Sequence, residues 1–265
     1  MKFVLVLLLA ISLLQLASLF TQHPKHAKRP VLAVASSLSP WVERQIANSG
    51  DLEPLAQIHL VSGSSGTLYY QLARGAPYDA IVFADQNWIQ RAQTLPDVQQ
   101  PSHTQCIAQV PVALWAPNSA LQPGELATIL RTNPTNTAPD ALQRMALPDP
   151  QTAPAGKAAL ELVEYLKLPF DPSQLLYAGS AIQTARLALT TTISLTILPI
   201  PLIQIAAETH QIQGVILEAD SNTCCQVTYH ALALNTTGIE LLTALQKRVH
   251  ADQQYRLTPC QHIDR

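Results

Sequence analysis

Two short turns rich in serine could hold an anion without any charged side chain. Ser36 and Ser37 form the first turn, and residues 62–66, with the sequence SGSSG, form the second. Each turn stands between an apolar run and a helix-like segment. The first N–H groups of a helix have no partner within the helix and carry the positive end of its dipole, so a turn at this place favours anions. Serine hydroxyls add neutral donors, and nothing in either turn resembles a catalytic dyad.

Alternating strand and helix patterns surround these turns and predict an α/β chain with a parallel sheet. We predict strands at residues 30–35, 57–61 and 79–83, one helix that begins with Ser39 as its cap, and another that begins at Thr67. Ligands of such sheets bind at the carboxyl ends of the strands. We therefore expect the two serine turns to converge on one ligand.

The second half of the chain repeats the order of strand, small-residue turn and helix start. A turn over residues 148–156 leads into a predicted helix at 157–166, and residues 179–182 lead into another. A strand at 107–116 is expected to cross between two parts of the molecule, after a surface connection at 92–105. Further predicted elements are strands at 145–147, 175–178, 213–217 and 227–234, an apolar β-branched run at 193–200, and a helix at 237–250.

Composition limits the class of protein. A chain of 265 residues is long enough for one large or two small domains. With 13% charged and 48% hydrophobic residues, it is globular and not disordered. The formal net charge of −2 gives no support for nucleic-acid or membrane-surface binding.

The first 29 residues resemble an export signal. Lys2 precedes a nearly unbroken apolar run at residues 3–20, and residues 21–30 are polar and basic. This order predicts a signal peptide that is cleaved near Ala17 or Ser18. The alternative is an uncleaved membrane anchor, because a run of about 18 residues is near the shortest that spans a bilayer.

Four cysteines, Cys106, Cys224, Cys225 and Cys260, lack the two-pair spacing of a structural zinc site. In an oxidising compartment they can form disulfides. Because adjacent cysteines rarely pair with each other, we expect Cys224 or Cys225 to bond to Cys106 or Cys260. Buried free thiols are the alternative.

Three motifs together resemble the molybdate-binding proteins of ABC importers, over roughly residues 30–260. The turn ASSL at residues 35–38 looks like the first motif of that family. The stretch SGSSGTLYYQLARGAPYDAIVFADQNW at 62–88 is similar to the second motif nearly residue by residue. Residues 149–156 resemble the third.

The resemblance implies an α/β fold of the two-lobe, type II periplasmic binding protein class. Each lobe would contain a mixed, mostly parallel sheet flanked by helices, and a hinge would join the lobes. After the segment at residues 1–29, we expect lobe I at 30–112 and 227–265 and lobe II at 113–226.

The family binds a tetrahedral oxyanion, molybdate or tungstate, between its lobes through neutral donors. It uses no cofactor and no direct ligand to the metal atom. Carried over by position, Ser37 and Ser64 would supply hydroxyl groups, and Ala155 and Ile182 would supply backbone N–H groups.

Each of these positions also has a simpler interpretation. Ser37 and Ser64 could only cap helices, which is a common role of serine at such places. Ala155 and Ile182 could be ordinary helix starts. The adjacent Ser36 and Ser65 are secondary candidates, because a one-residue slip would bring their hydroxyls to the same place.

The departures from the family pattern cluster in lobe II. A tyrosine that commonly contacts the ligand falls at Pro199 or Ile200, and neither residue has a hydroxyl. Pro148 replaces a glycine, and His230 replaces the proline usual after Tyr229. The same fold could therefore bind another anion, such as sulfate, phosphate or an organic anion.

The resemblance also implies partners and a location. We expect a periplasmic, exported monomer that delivers its ligand to the permease and ATPase subunits of an ABC importer. It would meet the membrane only through its N-terminal segment or the permease, with no nucleic-acid partner. The chain has no Walker-type loop, and we expect no enzyme activity. An exported hydrolase or transferase is a further alternative, although the chain has no G-x-S-x-G elbow.

Overall fold

The computed structural model describes most of the chain after the predicted N-terminal segment. The described residues are 29–51, 53–98, 103–117, 119–132, 144–168, 170, 172–190, 193, 195–219 and 224–260. Residues 1–28, where the predicted signal peptide or anchor falls, lie outside these ranges. Among the described residues, no helix has both the length and the apolar character needed to span a bilayer.

Strands and helices alternate through most of the described chain, as predicted. In chain order the elements are β1 (Val31–Ala35), α1 (Ser39–Ala47), β2 (His59–Gly63), α2 (Ser65–Ala73), β3 (Ala80–Phe83), α3 (Gln86–Gln93), β4 (His103–Pro117), α4 (Pro123–Thr132), β5 (Met145–Pro148), α5 (Pro154–Tyr165), β6 (Leu175–Ala178), α6 (Ala181–Ala188), β7 (Leu195–Pro199), α7 (Ile200–His210), β8 (Gly214–Glu218), β9 (Gln226–Ala233), α8 (Thr236–Ala251) and β10 (Thr258–Pro259).

The strands pair in the order β2-β1-β3-β9-β4-β7-β5-β6, with β8 and β10 paired to β4. β1, β2 and β3 run parallel to one another, as do β5, β6 and β7. The long strand β4 changes partners along its length. Residues 103–111 pair with β9, and residues 112–117 pair with β7 or β8.

This change of partner divides the molecule into two lobes. Here lobe I means β1–β3, β9, β10, the first part of β4 and helices α1–α3 and α8. Lobe II means β5–β8, the second part of β4 and helices α4–α7. The change falls between Pro111 and Val112. The residue boundaries given above, 30–112 with 227–265 against 113–226, stay a prediction.

The strands that lead to the turns are apolar because both of their faces are covered. All residues of β3 and β5 are buried, and so are four of the five residues of β1. Strands that are buried on both faces have continuous apolar sequences. A proline lies in the first turn of α1, α5 and α7, where the missing N–H of proline would have no partner in the helix anyway. Helices therefore begin shortly after the carboxyl ends of β1, β5 and β7.

Two local predictions about the first lobe were wrong. Ser39 does not cap α1, because Leu38 occupies the cap position and the Ser39 hydroxyl lies 2.7 Å from the Ser62 hydroxyl. The surface connection expected at residues 92–105 is shorter. α3 continues to Gln93, and β4 already begins at His103.

Helix α7 is missing from the sequence analysis. Only an apolar β-branched run at residues 193–200 is predicted there, because prolines such as Pro199 and Pro201 often interrupt regular structure. In the structure Pro199 ends β7 at the cap position and Pro201 lies in the first turn of α7. The same prolines thus define a helix start, because proline is unfavourable only further inside a helix.

The cysteine pairing also differs from the prediction. Cys106 is bonded to Cys260, and the adjacent Cys224 and Cys225 are bonded to each other. The Cα atoms of the first pair lie 5.8 Å apart, within the usual range. The C-terminal tail reaches Cys106 because β10 pairs with β4, opposite Ala108 and Gln109. The second pair lies directly before β9.

Candidate functional site

Buried polar side chains concentrate at one edge of lobe I. Five of the seven buried polar side chains in the described residues are serines that follow β1 and β2: Ser36, Ser37, Ser39, Ser64 and Ser65. No charged residue belongs to this buried set. Because buried polar groups need partners, such a cluster indicates either an internal hydrogen-bond network or a ligand.

Strand pairing brings the two serine turns together, as the sequence predicts. Ala35 at the end of β1 lies opposite Gly63 at the end of β2. The Ser36 N–H donates to the Gly63 carbonyl at 2.8 Å and extends this pairing by one residue. Ser37 and Ser64 therefore follow neighbouring carboxyl ends of parallel strands.

Ser37 has a partner that the sequence analysis does not find. The Tyr229 hydroxyl donates to Ser37 Oγ at 2.9 Å, and both side chains are buried. Burial raises the pKa of the Tyr229 hydroxyl, so the group remains a protonated donor. The two residues are 192 positions apart, and the only sequence signal was a tyrosine within an apolar strand.

Ser64 is the cap of α2, as the simpler interpretation holds. Its Oγ accepts from the Thr67 N–H at 3.2 Å and lies 2.8 Å from Thr67 Oγ1. Capping uses only an oxygen lone pair of Ser64. When the Thr67 hydroxyl donates to Ser64 Oγ, the Ser64 proton is available for a ligand. A capping role and a ligand role are therefore compatible for this residue.

The secondary candidates have structural contacts. Ser65 Oγ accepts from the Ala84 N–H at 3.0 Å and so fixes the start of α2 to the end of β3. The Ser36 carbonyl accepts a long contact of 3.4 Å from Ser39 Oγ. The first contact holds the turn that carries Ser64, and the second holds the turn that carries Ser37.

Lobe II reaches this edge with the start of α5. The Gly66 N–H in lobe I donates to the Thr152 carbonyl in lobe II at 3.1 Å, so the two lobes are in contact here. Ala155 follows Thr152 by three residues and is 1% exposed. Its N–H has no hydrogen-bond partner among the described residues. The first N–H groups of a helix have no partner within the helix, so a buried one can donate to a ligand as its partner.

A glycine allows α5 to begin so close to β5. A Cβ atom on Gly156 would lie 2.2 Å from the Pro148 carbonyl oxygen and 2.8 Å from the Pro150 nitrogen. Only glycine fits this approach. The sequence around Ala155 thus fixes where the free helix end lies.

Ile182 lies at the second position of α6, beside the same edge of lobe II. Ser180 caps this helix by accepting from the Gln183 N–H at 3.3 Å. The Asp149 N–H donates to the Ala178 carbonyl at 2.7 Å and joins the ends of β5 and β6. Within the described part of the chain, the Ile182 N–H has no hydrogen-bond partner either.

The third strand end of lobe II is apolar. Pro199 and Ile200 follow β7, and both are buried, with Ile200 only 1% exposed. The structure therefore places no hydroxyl at the position where the resemblance would put a tyrosine. Lobe II offers backbone N–H groups instead of side-chain donors.

Carboxylates near the edge accept hydrogen bonds from the backbone. Asp149 accepts from the Gln151 N–H at 2.9 Å, and Asp85 caps α3 by accepting from the Asn87 N–H at 2.8 Å. Asp85 also lies 4.0 Å from the Lys157 ammonium of α5, an ion pair between the lobes.

A cavity of about 290 Å³ lies between the lobes beside this ion pair. Its lining includes Asp85, Lys157, Glu161, Thr228 and His230. Burial lowers the pKa of His230, and the nearby Asp85 carboxylate opposes this shift. Neither site serine lines this cavity. Among the described residues, no group of His, Cys, Asp and Glu side chains is arranged to hold a metal ion.

The sequence of the chain matches a known family over most of its length. The family described as bacterial extracellular solute-binding protein covers residues 30–253. The chain belongs to this family. No curated protein sequence is detectably similar to it.

Solved structures share the fold. The periplasmic molybdate-binding protein of Azotobacter vinelandii superposes with a TM-score of 0.65 at 19% identity, covering 88% of this chain and 100% of that one. A substrate-binding domain described for a molybdenum ABC transporter of Clostridium difficile gives 0.52 at 15% identity, covering 88% and 99%. The sulfate-binding protein SubI of Mycobacterium tuberculosis gives 0.54 at 15% identity, covering 82% and 79%.

These likenesses confirm the predicted type II fold with two lobes. At such low identities they concern the fold alone. The ligand of this solute-binding protein depends on the residues at its own strand ends.

Proposed function

We propose that this solute-binding protein captures a tetrahedral oxyanion, molybdate or tungstate, between its lobes. Ser37 and Ser64 would donate their hydroxyl protons, and Ala155 and Ile182 would donate their backbone N–H groups. All four donors are neutral, and all lie at the junction of a strand end and a helix start.

One observation carries the proposal. Ala155 and Ile182 in lobe II both have N–H groups without a hydrogen-bond partner among the described residues, and the turn before Ala155 contacts the serine-rich edge of lobe I, which has no buried charge, through the Gly66 N–H. An oxyanion would pair such donors. Hydrogen bonds to a charged group contribute about 1.5–3 kcal/mol each, and helix ends add to this.

Sulfate is the second candidate, because Pro199 and Ile200 leave this edge without the additional hydroxyl that the molybdate-binding pattern would supply. A protein that binds sulfate is also among the structures that share the fold. Phosphate or an organic anion would fit the same reasoning less directly.

The arrangement favours binding over turnover. Among the described residues, the Ser37 side chain is bonded to Tyr229 and the Ser64 side chain to Thr67. Neither partner is a histidine or a carboxylate that could take the serine proton. We propose that the exported protein delivers its anion, in the periplasm, to the permease and ATPase subunits of an ABC importer.

A thermal-shift titration of the purified protein with molybdate, tungstate, sulfate and phosphate tests the proposal. A ligand that binds only the folded state raises Tm by mass action. We expect molybdate and tungstate to raise Tm. A shift with sulfate alone would favour the second candidate, and no shift with any of the four anions would contradict the proposal.

A further inference from the structure

We propose that Tyr229 is a positioning residue of the anion site, which directs the Ser37 proton towards the ligand. This inference rests on the proposed function and names a residue that acts on the ligand through Ser37. It concerns a side chain on β9, a strand that carries none of the four proposed donors.

The Tyr229 side chain points away from the cavity that its neighbours on β9 line. Side chains alternate along β9, so Thr228 and His230 line the cavity of about 290 Å³, while Tyr229 points to the other face. There its hydroxyl reaches Ser37 Oγ at 2.9 Å. The ring is fully buried, with 0% exposure, and Ser37 is 4% exposed.

Proton counting gives the direction of the effect. A serine hydroxyl has one proton and two lone pairs. Tyr229 occupies one lone pair of Ser37 by donating to it, so the Ser37 proton must point elsewhere. Because burial raises the pKa of Tyr229, its hydroxyl keeps the proton that it donates. A hydroxyl that accepts one hydrogen bond also becomes a stronger donor in the next.

The two site serines share this arrangement. Ser64 Oγ accepts from the Thr67 N–H, as Ser37 Oγ accepts from the Tyr229 hydroxyl. Each oxygen is held by a fixed donor before any ligand arrives. The contact between Tyr229 and Ser37 lies within lobe I, so it is present whether or not lobe II has closed. Tyr229 therefore contributes a hydroxyl to the site through Ser37, although the strand end at Ile200 offers none.

A double-mutant cycle separates this role from simple packing. The variants are Tyr229→Phe, Ser37→Ala and the double variant, titrated calorimetrically with molybdate, tungstate and sulfate. Phenylalanine keeps the ring in the core and removes only the hydroxyl. We expect Tyr229→Phe to weaken binding about 3- to 10-fold, the loss of one neutral hydrogen bond. We expect no further loss when Tyr229→Phe is added to Ser37→Ala.

Tyr78→Phe is the matched control. Tyr78 is also buried, and its hydroxyl donates to Gln71 at 2.6 Å within lobe I, away from both serine turns. Its substitution should leave the anion affinity unchanged. Thermal melts of each variant without ligand check that the core is intact.

Three results would overturn the inference. Unchanged affinity in Tyr229→Phe would show that the hydroxyl does not act on the site. An equal weakening by Tyr229→Phe with and without Ser37 would assign the effect to packing. If the unmutated protein binds none of the three anions, the proposed function itself fails, and the role of Tyr229 fails with it.

Discussion

In lobe I the proposed donors are buried hydroxyl side chains at strand ends, whereas in lobe II they are backbone N–H groups at helix starts. Ser37 and Ser64 are held by side-chain contacts with Tyr229 and Thr67. Ala155 and Ile182 would act only through the backbone. One pocket can therefore take side-chain donors from one lobe and backbone donors from the other. Lobe I depends on residue type, and lobe II depends on where its helices begin.

The largest expected effect is the loss of stability when a disulfide is removed. The disulfide of Cys106 and Cys260 in lobe I joins positions 154 residues apart, whereas the one between Cys224 and Cys225 joins neighbours. Closing a long loop restricts the unfolded chain far more than closing a short one. We expect Cys106→Ser with Cys260→Ser to lower the free energy of unfolding by about 2–4 kcal/mol.

Urea unfolding measures this difference. The control is Cys224→Ser with Cys225→Ser, which should cost much less. Equal losses from the two double variants would contradict the larger stabilisation expected from the bond between Cys106 and Cys260.

Removal of one serine hydroxyl tests the dependence of lobe I on residue type. We expect Ser64→Ala to weaken oxyanion binding by about 1.5–3 kcal/mol, which is the contribution of one hydrogen bond to a charged group. Titration calorimetry measures the loss. Ser49→Ala is the control, because the Ser49 hydroxyl donates to the Gln45 carbonyl at 2.7 Å, away from both serine turns, and its removal should leave the affinity unchanged. Normal affinity in Ser64→Ala would remove Ser64 from the site.

A pair of substitutions at one position tests the backbone role in lobe II. Ile182→Ala keeps the N–H and should leave anion affinity nearly unchanged. Ile182→Pro removes the N–H, and a proline is tolerated in the first turn of a helix. We expect it to weaken binding by about 1.5 kcal/mol, the lower end for a charged hydrogen bond, because neighbouring N–H groups share the anion.

The same calorimetric titration compares the two variants, with melting curves to check that α6 is intact. Should Ile182→Ala weaken binding as much as Ile182→Pro does, the side chain would matter, and the contrast between the lobes would be wrong at this position.

The smallest effect concerns the ion pair that bridges the lobes. The Lys157 side chain is 58% exposed and its ammonium lies 4.0 Å from Asp85. Exposed pairs of this kind contribute about 0–1 kcal/mol and weaken in salt. Lys157→Met should therefore reduce anion affinity by less than tenfold, and the difference should vanish at high salt. Lys247→Met, on the exposed face of α8, is the control. A tenfold or larger loss that persists in salt would place Lys157 in the binding site itself.

Local patterns were sufficient to predict the parts of the site that one segment defines. The SGSSG turn and the convergence of the two serine turns follow from a strand, a small-residue turn and a helix in immediate succession, although α2 begins at Ser65 and not at the predicted Thr67. The motif around Gly156 is equally local, because a glycine there is required by the 2.2 Å approach to the Pro148 carbonyl.

The contacts that the sequence analysis missed join distant segments. Tyr229 reaches Ser37 across 192 positions, and no pattern within β9 distinguishes a tyrosine that packs from one that also donates. Cys260 meets Cys106 because β10 pairs with β4, which local periodicity does not reveal. Helix α7 was missed for another reason, since a proline near a helix start and a proline that ends a strand look alike in sequence.

A crystal structure of the protein with tungstate, located by the anomalous scattering of tungsten, tests the central claim most directly. The account predicts one tungsten peak between the lobes, with its oxygens about 2.7–3.2 Å from Ser37 Oγ, Ser64 Oγ and the N–H nitrogens of Ala155 and Ile182. A peak in the cavity beside Lys157 and His230, or no ordered tungsten at all, would contradict it.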